Sequence, residues 1–348
     1  MRTLNSVEAM RRIDRSDMMG ILLSFPELVE KAYALPRPRL EISGIDELDG
    51  VVVIGMGGSA IGGDLLQSWI MERGGPPVYV NRDYDLPSFV GPKHLVFAVS
   101  YSGNTEETIS AFELALRKGC KPVTISSGGT LERLGNASRH IKLPPGLQPR
   151  AAVSLMLLPM LGVLEDLGGP RCEAEVREAA GLLSAMIDEI GPDVPEENNP
   201  AKQIATGLYG AFPMVFSGPF LAPVAKRWRT QLNENSKLLA REDFLPEMDH
   251  NDLVAWSEDP RAGECAVVIL RDRKEHPRVA KRVELTRKLG LDRARFVTEV
   301  RSRGEGALAR LLTALLVGDF VSFYLAILRG MDPTPVKVIE RLKKELAG

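Results

Sequence analysis

The sequence predicts an α/β protein built from two doubly wound parallel sheets with flanking helices. Short apolar runs alternate with helical segments, and the runs are continuously apolar, as is typical of strands buried on both faces. The length of 348 residues suits about two domains at roughly 150 residues each. A segment rich in proline and acidic residues at 191–200 is the predicted boundary. The predicted domains are therefore 1–190 and 191–348.

The first domain is predicted to begin with helices and to continue with strands. Residues 1–40 have a helical pattern with an interruption near Pro26. The stretch 105–118 is the clearest helix, because acidic residues occupy its first turn and Gly119 follows it. The predicted strands of this domain lie at 51–54, 78–80, 95–99, 122–125 and 140–143.

The second domain is predicted to repeat this alternation. The apolar stretch 311–328 approaches the length of a membrane span, but it contains Asp319 and Ser322. A membrane span needs about 20 cleaner residues, so a buried helix explains it better. The charged N-terminus lacks the apolar core of a signal peptide, and a cytoplasmic location without membrane contact is expected. The predicted strands are 213–217, 253–256, 265–270 and 295–300.

Composition argues against several function classes. The 44 Lys and Arg against 46 Asp and Glu leave a formal charge of -2, which provides no basic surface for nucleic acid. The three cysteines are odd in number and widely separated, so neither a disulfide framework nor a cysteine zinc site is expected. The four histidines have no metal-binding spacing. We expect no metal and no cofactor.

A glycine-rich turn, VVVIGMGGSAIGGD at 51–64, joins a predicted strand to a helix. Backbone N–H groups and the helix N-terminus can bind an anion at such a turn, here around Gly57, Gly58 and Ser59. A dinucleotide fingerprint is an alternative, but it expects an acidic residue about 20 positions on, and Asp83 lies 28 positions after Gly55. Close packing of the glycines is the other alternative.

A second loop, SYSGNTEET at 100–108, favours phosphate over a dinucleotide. Ser100, Ser102 and Thr105 follow a predicted strand and precede a helix, where hydroxyl groups and helix amides can bind a phosphate monoester. Ordinary N-capping is the alternative, although one cap requires only one hydroxyl. A third polar cluster, at 126–129, is interpreted as an ordinary cap.

In the second half, Glu234 lies in a helix-like run beside Asn233, Asn235 and Ser236. These neighbours are poor residues for a helix interior, which favours a functional role for the segment. The alternative is a surface ion pair between Glu234 and Lys237.

GGSAIGGD followed about 40 residues later by SxSGNTEET resembles the sugar isomerase (SIS) domain family. From about residue 45 onward the layout resembles the bifunctional phosphoglucose/phosphomannose isomerases. The resemblance implies a metal-independent aldose–ketose isomerase. Its substrates would be glucose 6-phosphate and mannose 6-phosphate, converted to fructose 6-phosphate through a cis-enediol. Such an enzyme belongs to carbohydrate metabolism, in glycolysis and gluconeogenesis.

The resemblance also implies roles for individual residues. Glu234 matches the glutamate that moves a proton between C1 and C2 of the open-chain sugar. His250, in PEMDHND, matches the histidine that opens the ring and that reaches the site from the neighbouring subunit of a homodimer. Arg150 matches an arginine that stabilises the enediolate. The alternative for His250 is a histidine at a helix end or on the surface, without a catalytic role. The alternative for Arg150 is a surface arginine at the end of a loop.

The segment 330–346 resembles the family's closing segment, which carries an active-site lysine and threonine. Lys343 is preferred over Lys337 and Lys344, and Thr334 is the available threonine. A solvated helix face and a turn are the alternatives for these two residues. A non-catalytic sugar-phosphate sensor remains the alternative function. A third interpretation, the isomerase portion of an amidotransferase, lacks support. Amidotransferases of this kind need a catalytic cysteine at the N-terminus, and the first cysteine here is Cys120.

Overall fold

The structure, a computed structural model, describes residues 3–135 and 137–346. Its contacts divide the chain into two compact units that interleave along the sequence. The five-stranded unit comprises residues 24–182 and 304–309, and the four-stranded unit comprises the rest of the described chain. The division into domains 1–190 and 191–348 stays a prediction.

The elements follow one another along the chain in alternation. The strands of the described residues are β1 (Gly50–Ile54), β2 (Val78–Asn81), β3 (His94–Val99), β4 (Val123–Ser126), β5 (His140–Lys142), β6 (Phe212–Ser217), β7 (Arg241–Phe244), β8 (Cys265–Arg271) and β9 (Phe296–Arg301). The α-helices are α1 (Val7–Ile13), α2 (Met18–Leu23), α3 (Phe25–Tyr33), α4 (Gly57–Arg73), α5 (Glu106–Arg117), α6 (Gly129–Leu134), α7 (Val153–Asp166), α8 (Glu173–Ile190), α9 (Pro200–Leu208), α10 (Ala222–Glu234), α11 (Asp252–Glu258), α12 (Pro277–Leu289), α13 (Ala307–Leu328) and α14 (Lys337–Leu346).

The five-stranded unit contains a parallel sheet in the order β2-β1-β3-β4-β5. Its five strands coincide with the five predicted ones, and β1 and β4 are buried along their whole length. Ala111 and Ala115 of α5 pack with Val52 and Val96 on one face. The chain leaves β1 toward one side and β3 toward the other, so the carboxyl ends of these strands form the switch point where ligands bind in such sheets.

The four-stranded unit contains a second parallel sheet, in the order β7-β6-β8-β9. The predicted strands at 213–217, 265–270 and 295–300 are confirmed. The predicted strand at 253–256 is wrong, because these residues belong to α11. The missing strand is β7, with the sequence REDF and no fully buried residue. It lies at the sheet edge, where charged and partly exposed side chains are normal and no apolar run is required.

The predicted helices are also found, with one change of interpretation. Helix α5 matches the predicted helix at 105–118. Pro26 lies in the first turn of α3 and so begins that helix. Proline fits there because the first-turn N–H groups have no partner within the helix.

The long apolar helix α13 is a core helix, as predicted. Among the described residues it alone is long and apolar enough to cross a membrane, yet 94% of its apolar window is buried inside the protein. Its polar residues have partners: Asp319 accepts hydrogen bonds from Arg227 and Gln231 of α10. A polar network of this kind suits a helix that packs against protein on its polar side.

Candidate functional site

The glycine turn after β1 brings three predicted residues together at the start of α4. Gly57 has a left-handed φ of +49°. A Cβ atom on Gly58 would lie 3.0 Å from the carbonyl oxygen of Pro149 and 3.0 Å from the Cα of Arg150. Glycine at 58 therefore allows the backbone at Arg150 to lie against the first turn of α4. Ser59 is buried, and its Oγ accepts a hydrogen bond of 3.3 Å from the N–H of Tyr101.

The loop after β3 presents the three predicted hydroxyl groups. The Oγ of Ser100 and the Oγ1 of Thr105 lie 2.8 Å apart, and the N–H of Gly103 donates to the same Ser100 Oγ. Ser102 Oγ accepts from the N–H of Asn104 at 3.3 Å. Thr105 is the N-cap residue of α5, but its side chain makes no capping hydrogen bond. These hydroxyls therefore shape the loop, and the capping alternative does not account for them.

The neighbouring cluster at 126–129 braces this loop. A Cβ atom on Gly103, whose φ is +71°, would lie 1.8 Å from the carbonyl oxygen of Gly128, so only glycine fits there. Ser127 Oγ donates to the carbonyl oxygen of Tyr101 at 2.7 Å. The interpretation of this cluster as an ordinary cap is wrong, because the N-cap of α6 is Gly128 and it has no side-chain capping bond.

Tyr101 is a site-building residue that the sequence analysis missed. Its hydroxyl donates to the carbonyl oxygen of Pro144 at 2.8 Å and accepts from the N–H of Leu147 at 2.9 Å. Burial raises the pKa of this phenol. Tyr101 thereby ties the hydroxyl loop to the segment that leads to the buried Arg150. The available signal was an aromatic residue between two serines at the end of a buried strand.

Glu234 is the last residue of α10, and polar contacts hold the turn that follows it. Asn235 donates to Ser322 Oγ at 3.0 Å, and Ser236 Oγ donates to the Ser322 carbonyl oxygen at 2.7 Å. Asn233 donates to the carbonyl oxygen of Leu238 at 2.8 Å. The scaffold therefore explains the three polar neighbours, and their poor helix propensity is no evidence for function.

A buried ion pair fixes α10 against α13. Arg227 and Asp319 are both almost fully buried, with 2.7 Å between the guanidinium and the carboxylate. Gln231 donates to the same carboxylate at 3.0 Å. Burial raises the pKa of Asp319, and Arg227 and Gln231 oppose that rise. These contacts lie one and two turns before Glu234, so they set the position of the helix end that carries it.

His250 ends a short 3-10 helix, Glu247–His250, and its side chain is exposed. Met248 anchors this segment in the core, and Asp249 accepts hydrogen bonds from Arg282 and Thr286 of α12. The segment belongs to the β7-to-β8 connection, whereas Glu234 belongs to the β6-to-β7 connection. Right-handed crossovers that run in opposite directions lie on opposite faces. By this rule the two connections, and with them Glu234 and His250, belong to opposite faces of the sheet in this unit.

The closing segment divides into a buried turn and an exposed helix. Thr334 is buried, and its N–H donates to Asp332 Oδ1 at 3.1 Å. The ammonium of Lys237 donates to the carbonyl oxygen of the adjacent Pro333 at 3.0 Å, which joins this turn to the turn after Glu234. Lys343 lies on α14, whose side chains are exposed. The structure thus brings Thr334, but not Lys343, to the Glu234 turn.

Neither a metal cluster nor an activated thiol is found in the described part of the chain. Within residues 3–135 and 137–346 no group of three or more His, Cys, Asp or Glu could hold a metal ion. Burial raises the pKa of the Cys120, Cys172 and Cys265 thiols, which keeps them protonated and unreactive.

Two family matches cover both halves of the molecule. Residues 47–160 match the SIS domain family, and residues 197–346 match the family described as the bacterial phospho-glucose isomerase C-terminal SIS domain. With the two parallel sheets, these matches define a protein of two SIS domains.

Curated relatives narrow this class. The chain is 39% identical to the bifunctional phosphoglucose/phosphomannose isomerase of Caldicellulosiruptor bescii, over 95% of this chain and 99% of that protein. It is 40% identical to the enzyme of the same name from Aquifex aeolicus, over 85% and 90% of the two chains. The chain belongs to the bifunctional phosphoglucose/phosphomannose isomerase family.

Solved structures agree on the fold. A glucose-6-phosphate isomerase like protein from Thermus thermophilus superposes with a TM-score of 0.67 and 21% identity, covering 99% of both chains. The tagatose-6-phosphate ketose/aldose isomerase of Escherichia coli gives a TM-score of 0.62 at 17% identity, over 94% of this chain and 93% of that one. At these identities the likeness concerns the fold alone.

Proposed function

We propose that this protein is an aldose–ketose isomerase that converts glucose 6-phosphate and mannose 6-phosphate to fructose 6-phosphate and back. The observation that carries the proposal is the hydroxyl loop at the switch point of the five-stranded sheet, in a chain that shares its family with enzymes of that name. The loop favours a phosphate monoester over a dinucleotide, because its hydroxyls are grouped at one point.

The phosphate is held by Ser59, Ser100, Ser102 and Thr105, with the backbone of Gly57 and Gly58 at the start of α4. Hydroxyl groups and helix amides stabilise the dianion without a full positive charge, so the product can leave. The bracing of the loop by the 126–129 cluster supports this role, since donors that are already fixed need no ordering when the ligand binds.

The reaction begins with ring opening and continues with proton transfer. His250 donates a proton to the ring oxygen as the C1–O5 bond breaks and the C1 hydroxyl releases its proton to water, which leaves the open-chain aldehyde. The Glu234 carboxylate removes the C2 proton; the C–H electron pair forms the C1–C2 double bond and the C1 oxygen becomes the enediolate. Arg150 stabilises that negative charge. A proton then passes from the C2 hydroxyl to the C1 oxygen, and Glu234 returns its proton to C1 as the C2 oxygen becomes the carbonyl.

One intermediate serves both aldose substrates. Glucose 6-phosphate and mannose 6-phosphate differ only in the configuration at C2, and removing the C2 proton makes this carbon planar. Activity on both requires only that the C2 hydroxyl be loosely held, and we assign Thr334 to this part of the substrate. The assignment of Lys343 to the active site stays a prediction.

The active form is proposed to be a homodimer in which His250 of one subunit serves the substrate of the other. The assignment of Glu234 and His250 to opposite faces of the sheet supports this arrangement, because the two residues of one chain then serve different substrates. Helix α14 supports it too: Val338, Leu342 and Leu346 expose apolar side chains along one helix face. A cytoplasmic location and a place in glycolysis and gluconeogenesis are part of the same proposal.

Replacement of the proton-transferring carboxylate tests the proposal. Glu234→Gln keeps the size of the side chain but removes the base, and we expect kcat for fructose 6-phosphate to fall by about 10²- to 10⁴-fold. The matched control is Glu113→Gln, at an exposed position on α5. Both are measured in a coupled assay, with sugar-phosphate binding followed by calorimetry.

Two results would contradict the proposal. Near wild-type turnover in Glu234→Gln would remove the assigned base. Tight binding of fructose 6-phosphate by the wild-type protein with no turnover would favour the sugar-phosphate sensor. Chelator treatment is expected to leave the isomerase activity intact. Loss of activity on chelation would contradict metal-independent chemistry.

A further inference from the structure

Lys237 has a backbone conformation that usually belongs to glycine. Its φ is +54°, and among the residues the structure describes only Asp17 shares a positive φ without being glycine. The position follows the end of α10, where a left-handed residue commonly ends a helix and glycine meets the requirement with the least strain. A lysine here is therefore disfavoured by the backbone, and its side chain has to account for it.

The side chain of Lys237 connects two turns that both carry proposed site residues. Its ammonium donates to the carbonyl oxygen of Glu234 at 2.5 Å and to that of Asn235 at 3.4 Å. It also donates to the carbonyl oxygen of Pro333, directly before Thr334, at 3.0 Å. The first two carbonyls belong to the last turn of α10, whose partial negative charge favours a cation.

These contacts have a direct consequence for Glu234. Asn235 and Ser236 also hold the turn after Glu234, through their hydrogen bonds to Ser322. Ser322 belongs to α13, so these two contacts join the turn to that helix and not to the Thr334 turn. The ammonium of Lys237 reaches from this turn to the Pro333–Thr334 turn. Without that ammonium, the two turns keep their separate anchors and lose this direct link between them.

We propose that Lys237 is a positioning residue, which holds the backbone of Glu234 and the Thr334 turn in the register that proton transfer requires. The proposal rests on the proposed function, in which Glu234 is the base and Thr334 contacts the substrate near C2. Lys237 acts through these two turns and contributes no proton. Displacement of a reacting group by about 1 Å can cost about 10²-fold in rate, so a backbone bridge beside the base has a kinetic effect.

Three variants separate the backbone role of Lys237 from that of its side chain. Lys237→Gly relieves the positive φ and removes the ammonium; Lys237→Met removes the ammonium only; Lys237→Arg keeps a cation. We expect Lys237→Gly to melt no lower than Lys237→Met, and both to lose about 10- to 100-fold in kcat. The KM for fructose 6-phosphate stays within about threefold, since the phosphate contacts are elsewhere. Lys237→Arg recovers part of kcat.

Lys118 offers a matched control. Its ammonium also donates to three backbone carbonyl oxygens, those of Pro87, Ser88 and Val90, at 3.2 to 3.3 Å. It follows the C-terminus of the 12-residue α5, about 18 Å along the helix from Thr105. Lys118→Met is expected to lower the melting temperature and to leave kcat unchanged, which shows what loss of a purely structural lysine bridge does.

A kinetic isotope effect distinguishes a positioning role from a purely structural one, because loss of stability alone does not change it. With glucose 6-phosphate deuterated at C2, slower proton transfer makes that step more rate-limiting, so the isotope effect of Lys237→Gly equals or exceeds that of the wild type. Undiminished kcat in Lys237→Gly, or reduced kcat with an isotope effect of one, would overturn the positioning role alone. A wild-type protein without turnover would overturn the proposed function, and this proposal with it.

Discussion

The loops after β3 and β8 occupy equivalent places in their sheets but differ in chemistry. Each follows the strand that lies next to the first strand of its unit, at a switch point. After β3 stand Ser100, Ser102 and Thr105, which are neutral hydroxyls. At the end of β8 and just after it stand charged residues in ion pairs: Arg271, the last residue of β8, donates to Glu275 in the loop and to Glu299 of β9. The same topology therefore carries a loop of hydroxyl groups, the proposed phosphate site, in one unit and a closed ionic network in the other.

The difference explains why we propose an anion site at only one of the two switch points. Each guanidinium nitrogen of Arg271 donates to a carboxylate, and Asp272 accepts from Ser302 and from Arg310. Those charges are neutralised within the protein. In the five-stranded unit the hydroxyls contact each other and the loop backbone, and a hydroxyl retains a second lone pair and a rotatable proton. Fold alone thus does not create a site, and the strand-end residues decide it.

The largest effect is expected from breaking the ionic network of the four-stranded unit. Asp272→Asn removes the charge that faces the fully buried Arg310 across 2.6 Å. Loss of one partner of a buried pair costs about 3 kcal/mol of stability, since the remaining charge stays desolvated. We expect a lower melting temperature by calorimetry, with KM for fructose 6-phosphate within about twofold. A large rise in KM would show that this loop also contacts the substrate.

The next effect comes from introducing charge into the hydroxyl loop. Ser102→Asp places a carboxylate at an exposed position of the proposed phosphate site, whereas Ser102→Asn changes the shape similarly without charge. Repulsion between like charges near 5 Å is about 3 kcal/mol at an effective dielectric of 20. Allowing for screening at this exposed position, we expect KM for glucose 6-phosphate to rise about 100-fold in the Asp variant.

The Asn variant decides how that result is interpreted. We expect Ser102→Asn to raise KM for glucose 6-phosphate by less than about tenfold, because only one hydrogen bond to the phosphate changes. Equal effects of Asp and Asn, measured at the same ionic strength, would mean that the loop binds no anion.

The contrast between these loops also shows what sequence reasoning can reach. Ser100, Ser102 and Thr105 lie within six positions after one buried strand, so their grouping was visible in the sequence. The central strands were predictable for a related reason, because burial on both faces selects apolar residues. The edge strand β7 lacks that constraint and was not predicted. A strand was predicted instead at 253–256, which belongs to α11.

Contacts between segments far apart in the chain could not be predicted from the sequence. The bond from Lys237 to Pro333 joins residues 96 positions apart, and nothing local to either marks it. The role of Tyr101 depends likewise on a loop 43 positions away. Such links arise from packing of whole elements, which propensity and motif spacing do not determine.

The smallest effect is expected from deleting one hydroxyl of the loop. Thr105→Val is nearly the same shape but has no oxygen, so it loses the 2.8 Å contact with Ser100 Oγ and one donor to the phosphate. One such hydrogen bond is worth about 1.5 kcal/mol, which predicts an increase of about tenfold in KM for glucose 6-phosphate with little change in kcat.

Thermal stability distinguishes this loss from an effect on the helix. Thr105 makes no capping bond to α5, so Thr105→Val should keep the melting temperature within about 2 °C of the wild type. Ser127→Ala, which removes the brace to the Tyr101 carbonyl but no proposed phosphate donor, is the matched control. If the Ser127 variant raised KM as much as the Thr105 variant, loop geometry rather than the hydroxyl itself would govern phosphate binding, and the two strand-end loops would differ in rigidity more than in donors.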